Sequence, residues 1–180
     1  MANLILNGST SGSVTLSSPA VSGTTTLTLP TTSGTVITTA STFGGTGPAF
    51  SAYLSSTQSV SANTTTKVAF NAETFDTNSN FDSTTNYRFT PTVAGYYQVN
   101  AWIYGSGAGF LESYLYKNGS LFNRLSFSYT ASVQANGGSC LISLNGSTDY
   151  IEIYTFNTTA TTLESGSTYN YFQASMVRSA

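Results

Sequence analysis

The side chains that could do chemistry are few. The carboxylates are Glu73, Asp76, Asp82, Glu112, Asp149, Glu152 and Glu164. Glycoside hydrolysis needs two carboxylates flanking a cleft, and Glu73 with Asp76 or Glu112 with Glu152 are the pairs that number alone permits. The competing reading of both pairs is a solvated loop or a polar contact. Residues 76–82 read Asp-Thr-Asn-Ser-Asn-Phe-Asp, an alternation of oxygen ligands of the kind that holds Ca²⁺. The glycine and terminal glutamate of an EF-hand loop are missing, so no metal or other cofactor is expected. The chain has no histidine and one cysteine, Cys140. That excludes a Ser-His-Asp triad, a Cys-His nucleophile and His-based zinc or iron sites. Cys140 alternates with Ile142 and Leu144 and reads as a small buried hydrophobe. The expectation is a protein that is not an enzyme.

The elements around these residues must be strands. Of 180 residues, 31 are Thr, 28 Ser and 14 Asn, types that favour strands, turns and loops over helix interiors. Charged residues make up 7% of the chain, against about 25% in an ordinary soluble domain. The formal net charge is -2, with 12 Tyr and 11 Phe, which separates the chain from disordered sequences. Its five cations, Lys67, Arg88, Lys117, Arg124 and Arg178, are dispersed and form no basic stripe, so no nucleic-acid partner is expected. The start MANLILNGSTSG has no signal-peptide pattern and no run approaches 18 apolar residues. A chain made in a cytoplasm, without a membrane partner, is expected. Asn-X-Ser/Thr sequons begin at Asn7, Asn63, Asn118, Asn145 and Asn157, as chance alone would place them in this composition.

Two regions are legible. No charged residue precedes Lys67 and no aromatic precedes Phe43, and residues 43–48 hold three glycines and a proline. The expected division is an arm over 1–45, a linker over 46–48 and a larger domain over 49–180. Within the arm, Ser-Gly recurs at 11, 22 and 33, giving three eleven-residue units, each a turn, a short Val/Thr/Leu strand and a breaker. Low complexity alone is the alternative. Short strands with open edges cannot bury a core, so Val14, Leu16, Leu27, Leu29, Val36 and Ile37 are expected to attach the arm to sister chains or to a larger assembly.

From Phe50 onward the alternation has period two. Tyr97, Val99, Ala101 and Ile103 share one face of a strand, while Tyr96, Gln98, Asn100, Trp102 and Tyr104 share the other. Ile151 and Ile153 likewise oppose Tyr150, Glu152 and Tyr154. The second faces are aromatic and polar but scarcely charged, and are expected to form subunit contacts; a wet surface built on β-propensity is the alternative. Further strands are expected at 50–55, 67–72, 87–90, 111–116, 121–129, 139–144 and 169–178. Turns are expected at Asn118-Gly119, Asn136-Gly137-Gly138 and Asn145-Gly146. About ten short strands imply an all-β, two-sheet sandwich with jelly-roll topology.

Residues 49–178 resemble the C1q-like members of the C1q/TNF jelly-roll superfamily. Ala49–Tyr53 is similar to the opening strand, and Lys67–Asn71 to the next buried pair. Phe89, Pro91, Gly95 and Tyr97 are similar to the family's Phe, Pro, Gly and Tyr pattern, and stand here as Phe-x-Pro-x-x-x-Gly-x-Tyr. Residues 116–119, 141–144 with 149–151, and 169–177 are similar to the later hairpin, the Leu-rich strand with its turn, and the closing strand. The turn at 146–149 is stretched, and Tyr171 stands where a glycine is common. The resemblance implies a homotrimer about a three-fold axis. The arm resembles Gly/Ser/Thr-rich repeats of tailed-bacteriophage structural proteins. Together these imply a protein of the virion surface that contacts capsid or tail proteins, most simply as capsid decoration. The alternative is a tail-fibre tip whose loop aromatics, such as Phe81, Tyr129 and Phe156, bind a host glycan or protein.

Overall fold

The computed structural model describes residues 3–7, 9–17, 23–24 and 47–180. The chain divides into two compact units, Met1–Ser41 and Thr42–Ala180. In the first, β1 (Asn3–Asn7) and β2 (Ser13–Ser17) pair antiparallel, with Leu4 opposite Leu16 and Leu6 opposite Val14. Strand β2 falls in the first Ser-Gly unit, and its partner precedes the repeats. Ile5 and Leu6 are exposed. Leu27, Leu29, Val36 and Ile37 lie outside the described residues.

The second unit is all strand among the described residues. In chain order it runs β3 (Ala49–Tyr53), β4 (Gln58–Val60), β5 (Thr66–Lys67), β6 (Ala72–Asp76), β7 (Phe81–Asp82), β8 (Arg88–Phe89), β9 (Gly95–Ser106) and β10 (Gly109–Lys117). It continues with β11 (Ser120–Thr130), β12 (Val133–Leu144), β13 (Ile151–Asn157), β14 (Thr161–Leu163) and β15 (Tyr171–Ser179). One sheet has the order β4-β14-β9-β15-β3-β6, with β12 on the other edge of β9; the second has the order β11-β10-β13-β8-β7, with β5 on β13. This is the expected two-sheet sandwich, and its inner faces form one core.

The core is aromatic where the sheets meet. Phe50 stacks on Phe81 and Phe89 at 4.6 and 4.5 Å and meets the edge of Phe172 at 4.8 Å. The alternation in β9 is realised as read: Tyr97, Val99, Ala101 and Ile103 are buried. Tyr97 donates its hydroxyl to the Val93 carbonyl at 2.6 Å, and burial pushes its pKa up to about 12.

Three expectations need correction. Residues 67–72 are not one strand. Lys67 ends β5 in the six-stranded sheet, the chain crosses the core through buried Val68 and Phe70, and Ala72 opens β6 in the seven-stranded sheet. Gln58 makes the crossing affordable, donating Nε2 to the Lys67 carbonyl at 2.7 Å and accepting from the Ala69 N–H at 2.9 Å. Asn136-Gly137-Gly138 is not a turn but the middle of β12. A Cβ on Gly137 would collide with the Ala101 carbonyl and the Trp102 ring, so this glycine marks a close approach of neighbours. Asn136 points inward and donates Nδ2 to the Leu111 carbonyl at 2.6 Å. Phe81, expected on a loop, is in the core.

The other two turns form as read. Asn118 and Gly119 have φ of +52° and +76°, the left-handed pair of a two-residue hairpin loop. Asn145 Oδ1 accepts the N–H groups of Ser147, Thr148 and Asp149, while Asp149 Oδ2 accepts the Asn145 N–H. That reciprocal cap holds the stretched turn, and Gly146 at φ +70° lies where a Cβ would strike the Ala94 nitrogen.

Phe50→Ala removes the ring that joins both sheets, and urea unfolding of the full chain is expected to show a loss of about 3–5 kcal/mol. Trp102→Phe, outside the core, is expected to change stability by less than about 1 kcal/mol.

Candidate functional site

The carboxylates do not converge on a cleft. Glu112 on β10 and Glu152 on β13 lie on the outer face of the six-stranded sheet, but Glu112 is opposite Phe156, and Glu152 opposite Tyr116. Each has a cation: Lys67 Nζ lies 2.5 Å from Glu152, and Arg124 Nη1 3.3 Å from Glu112. Asp76 accepts the N–H groups of Asn78 and Phe81, and Asp82 those of Thr84, Thr85 and Asn86. The oxygens read as calcium ligands are thus turned onto the loop's own amides. Among the described residues no three His, Cys, Asp or Glu side chains group as metal ligands. Cys140 is half-buried against the core, and burial pushes its thiol up.

What the structure does organise is two contrasting outer faces. Charge is segregated between them. The seven-stranded sheet carries only Glu73, Asp76 and Arg178, and its strands β3, β9, β12 and β15 only Arg178. The six-stranded sheet carries Lys67, Asp82, Arg88, Glu112, Lys117, Arg124 and Glu152.

Tyr96, Gln98, Asn100, Trp102 and Tyr104 all lie on the outer face of the seven-stranded sheet, because β9 buries their alternate neighbours. Register sets a row across it, Tyr53 beside Tyr171 beside Trp102 beside Gly137. Glycine at 137 leaves room for the indole. Tyr104 packs on Tyr169 at 5.1 Å. At one end Tyr96, Leu141, Val177 and Arg178 line an open groove of about 510 Å³. Leu141 and Val177 are exposed there, as are Leu121 and Phe122 on β11.

Tyr150, Glu152 and Tyr154, read as part of the same contact, lie on or beside the other sheet. Glu152 is buried by its own chain, with a side chain 4% exposed. Tyr154 lies against Tyr116 at 4.1 Å, and Arg88 sits over the Tyr150 ring at 4.3 Å. The two groups therefore do not make one patch, since each faces outward from its own sheet and the two outer faces lie on opposite sides of the sandwich. Sequence reading also passed over Phe110 and Phe127, which lie beside Tyr129 on the outer face of the six-stranded sheet. The signal was present: Leu111, Ser113 and Leu115 alternate with Phe110, Glu112, Tyr114 and Tyr116, and the first set is buried.

No protein-family model matches the chain, and no curated protein matches it. Solved structures do. The globular domain of zebrafish complement 1qA protein is 20% identical, with a TM-score of 0.54 over 74% of this chain and 99% of that one. Eiger TNF from S. frugiperda is 12% identical, with a TM-score of 0.57 over 74% and 95%. Murine APRIL is 9% identical, with a TM-score of 0.58 over 73% and 99%. The fold is therefore C1q/TNF-like.

Two carboxyls tie the loops at the sheet ends to the fold. Three backbone amides and the Asn86 side chain hold Asp82 well below the usual carboxylate range, against the cost of desolvation. Lys117 at 2.9 Å and Asn118 hold Asp149 below it as well. Both ionise more readily folded than unfolded, so their stabilisation is present above the unfolded value near 4 and is lost as pH falls below it. Urea midpoints are expected to drop steeply between pH ~4 and ~2. The slope is expected to flatten in Asp149→Asn; an unchanged slope would remove Asp149 from this account.

Proposed function

We propose that the chain is a non-enzymatic structural protein of a tailed-bacteriophage particle, a homotrimer that anchors through residues 1–45 and projects the C1q/TNF-like knob from the virion surface, most simply as capsid decoration. The observation that carries the trimer is the charge-poor outer face of the seven-stranded sheet. A face left in water would spend its sheet's charges there, yet the row from Tyr53 to Trp102 has none. The exposed apolar edge at Leu121 and Phe122 on β11 differs in kind from that face, and a contact between two unlike patches closes into a ring when the rotation allows. The sequence likeness to C1q-like domains supports three copies.

Attachment follows from the arm. The β1–β2 hairpin is too small to be stable in isolation and keeps open edges with Ile5 and Leu6 exposed. Strand addition to a neighbouring sheet would satisfy those edges. Three arms on one trimer raise the effective concentration of each, so weak contacts add up to firm seating on capsid or tail proteins. A second reading, a tail-fibre or baseplate tip that binds a host glycan or protein, is favoured by the exposed rings on β10 and β11.

Native mass at micromolar concentration is expected at three times the 18.9 kDa of the chain, and a concentration-independent monomer would overturn the trimer. Trp102→Glu is expected to dissociate it, whereas Phe156→Ala is not. Deleting residues 1–45 is expected to abolish binding to intact particles. Gold-labelled knob spread over the head in electron micrographs is the expected pattern, and label confined to the tail would select the second reading.

A further inference from the structure

We propose that the outer face of the six-stranded sheet is a shelf for a neutral carbohydrate chain, built from Phe110, Phe127 and Tyr129. The shelf is on the sheet opposite the one assigned to subunit contact. The three rings are 39%, 57% and 70% exposed, with Phe110 4.9 Å from Tyr129 and 6.5 Å from Phe127. They belong to two neighbouring strands, where Tyr129 is opposite Phe110 and Phe127 opposite Glu112. Beside them polar groups are held in place. Glu112 Oε2 accepts from the Tyr114 hydroxyl at 2.7 Å and from Arg124 Nη1 at 3.3 Å, and the guanidinium carbon lies 5.1 Å from the centre of the Phe127 ring.

Size and charge select the occupant. Taking about 200 Å² per ring, the exposed fractions amount to roughly 300 Å², large enough to be a functional patch. A stable protein partner would cover about 800 Å². A short run of sugar rings fits the smaller area. The fixed polar border pairs one cation with one anion and has no net charge, which gives a phosphate or sulfate chain no advantage. Arg124 spends one donor on Glu112 and has a half-exposed side chain, and a carboxylate beside a guanidinium offers acceptor and donor together. Adjacent hydroxyls on an uncharged pyranose need that combination, while its C–H face needs the rings. Charge, area and hydrogen-bonding type therefore agree on a neutral saccharide.

The test uses the full chain with cellohexaose, maltohexaose and chitohexaose, read by saturation-transfer NMR and calorimetry. At least one is expected to bind. The Phe127→Ser/Tyr129→Ser variant is expected to weaken binding about tenfold or more, while Tyr150→Ser, beside the other end of the same sheet, leaves it unchanged. No binding to any of the three, or binding indifferent to the double variant, overturns the proposal. Loss of native mass in the double variant would also overturn it, by making the rings a subunit contact. A monomeric wild-type chain that binds a hexaose through these rings would overturn the trimer and support the shelf, so the two readings fail separately.

Discussion

The fold depends on Phe50 being held between rings from both sheets. Phe81 and Phe89 belong to the six-stranded sheet and Phe172 to the seven-stranded sheet, so one side chain carries contacts that otherwise would have to be made strand by strand. Strands β7 and β8 are two residues each and have little ladder of their own. They stay in the sheet because each contributes a ring to this stack. Phe89 also meets Tyr97 edge-on at 5.6 Å, which fixes the inward face of β9 and, by alternation, the outward direction of Trp102. The candidate interface is thus a consequence of the core.

Shortage of charge makes side-chain amides do work that ladders and ion pairs do elsewhere. Gln58 carries the chain across the core, and Asn118 and Asn145 close turns. Asn170 satisfies both backbone groups of Tyr104, accepting from its N–H at 2.9 Å and donating to its carbonyl at 3.0 Å. Asn157 donates to Gln134 at 2.7 Å, with both side chains fully buried, and Gln134 donates in turn to the Gly109 carbonyl. Burying a polar group costs free energy unless it is paired, so these residues are tied to one arrangement of strands. The scarce charges are concentrated on the six-stranded sheet, where Lys67 pairs with Glu152 and Arg124 with Glu112, and the seven-stranded sheet keeps Glu73, Asp76 and Arg178 alone.

Much of this was legible from residues alone. Alternation in 96–104 and 150–155 separates core from outer face because a pleated strand turns successive side chains to opposite sides. Asn118-Gly119 is legible as a turn because its left-handed φ values exclude most other residues. The limits are equally specific. Asn136-Gly137-Gly138 has turn composition, and only the approach of Trp102 and Leu125 shows that its glycines make room for neighbours. Val68 and Phe70 alternate as in a strand, and only Gln58 shows that the chain leaves one sheet for the other there. Phe81 lies among polar residues and was read as exposed, because nothing local records that Phe50 lies above it.

The sequence by itself determined an all-β chain with two regions, an alternating core, few charges and no histidine chemistry, since composition and period act within a few residues of each position. Tertiary structure alone decided which sheet each strand joins. That assignment places Trp102 and Tyr154 on opposite sides of the sandwich, buries Glu152 beside Lys67 and gathers Phe110, Phe127 and Tyr129 into one shelf. The physical reason is that a strand's pattern specifies which side chains share a face, while its neighbours are chosen by hydrogen-bond register and packing between residues far apart in the chain.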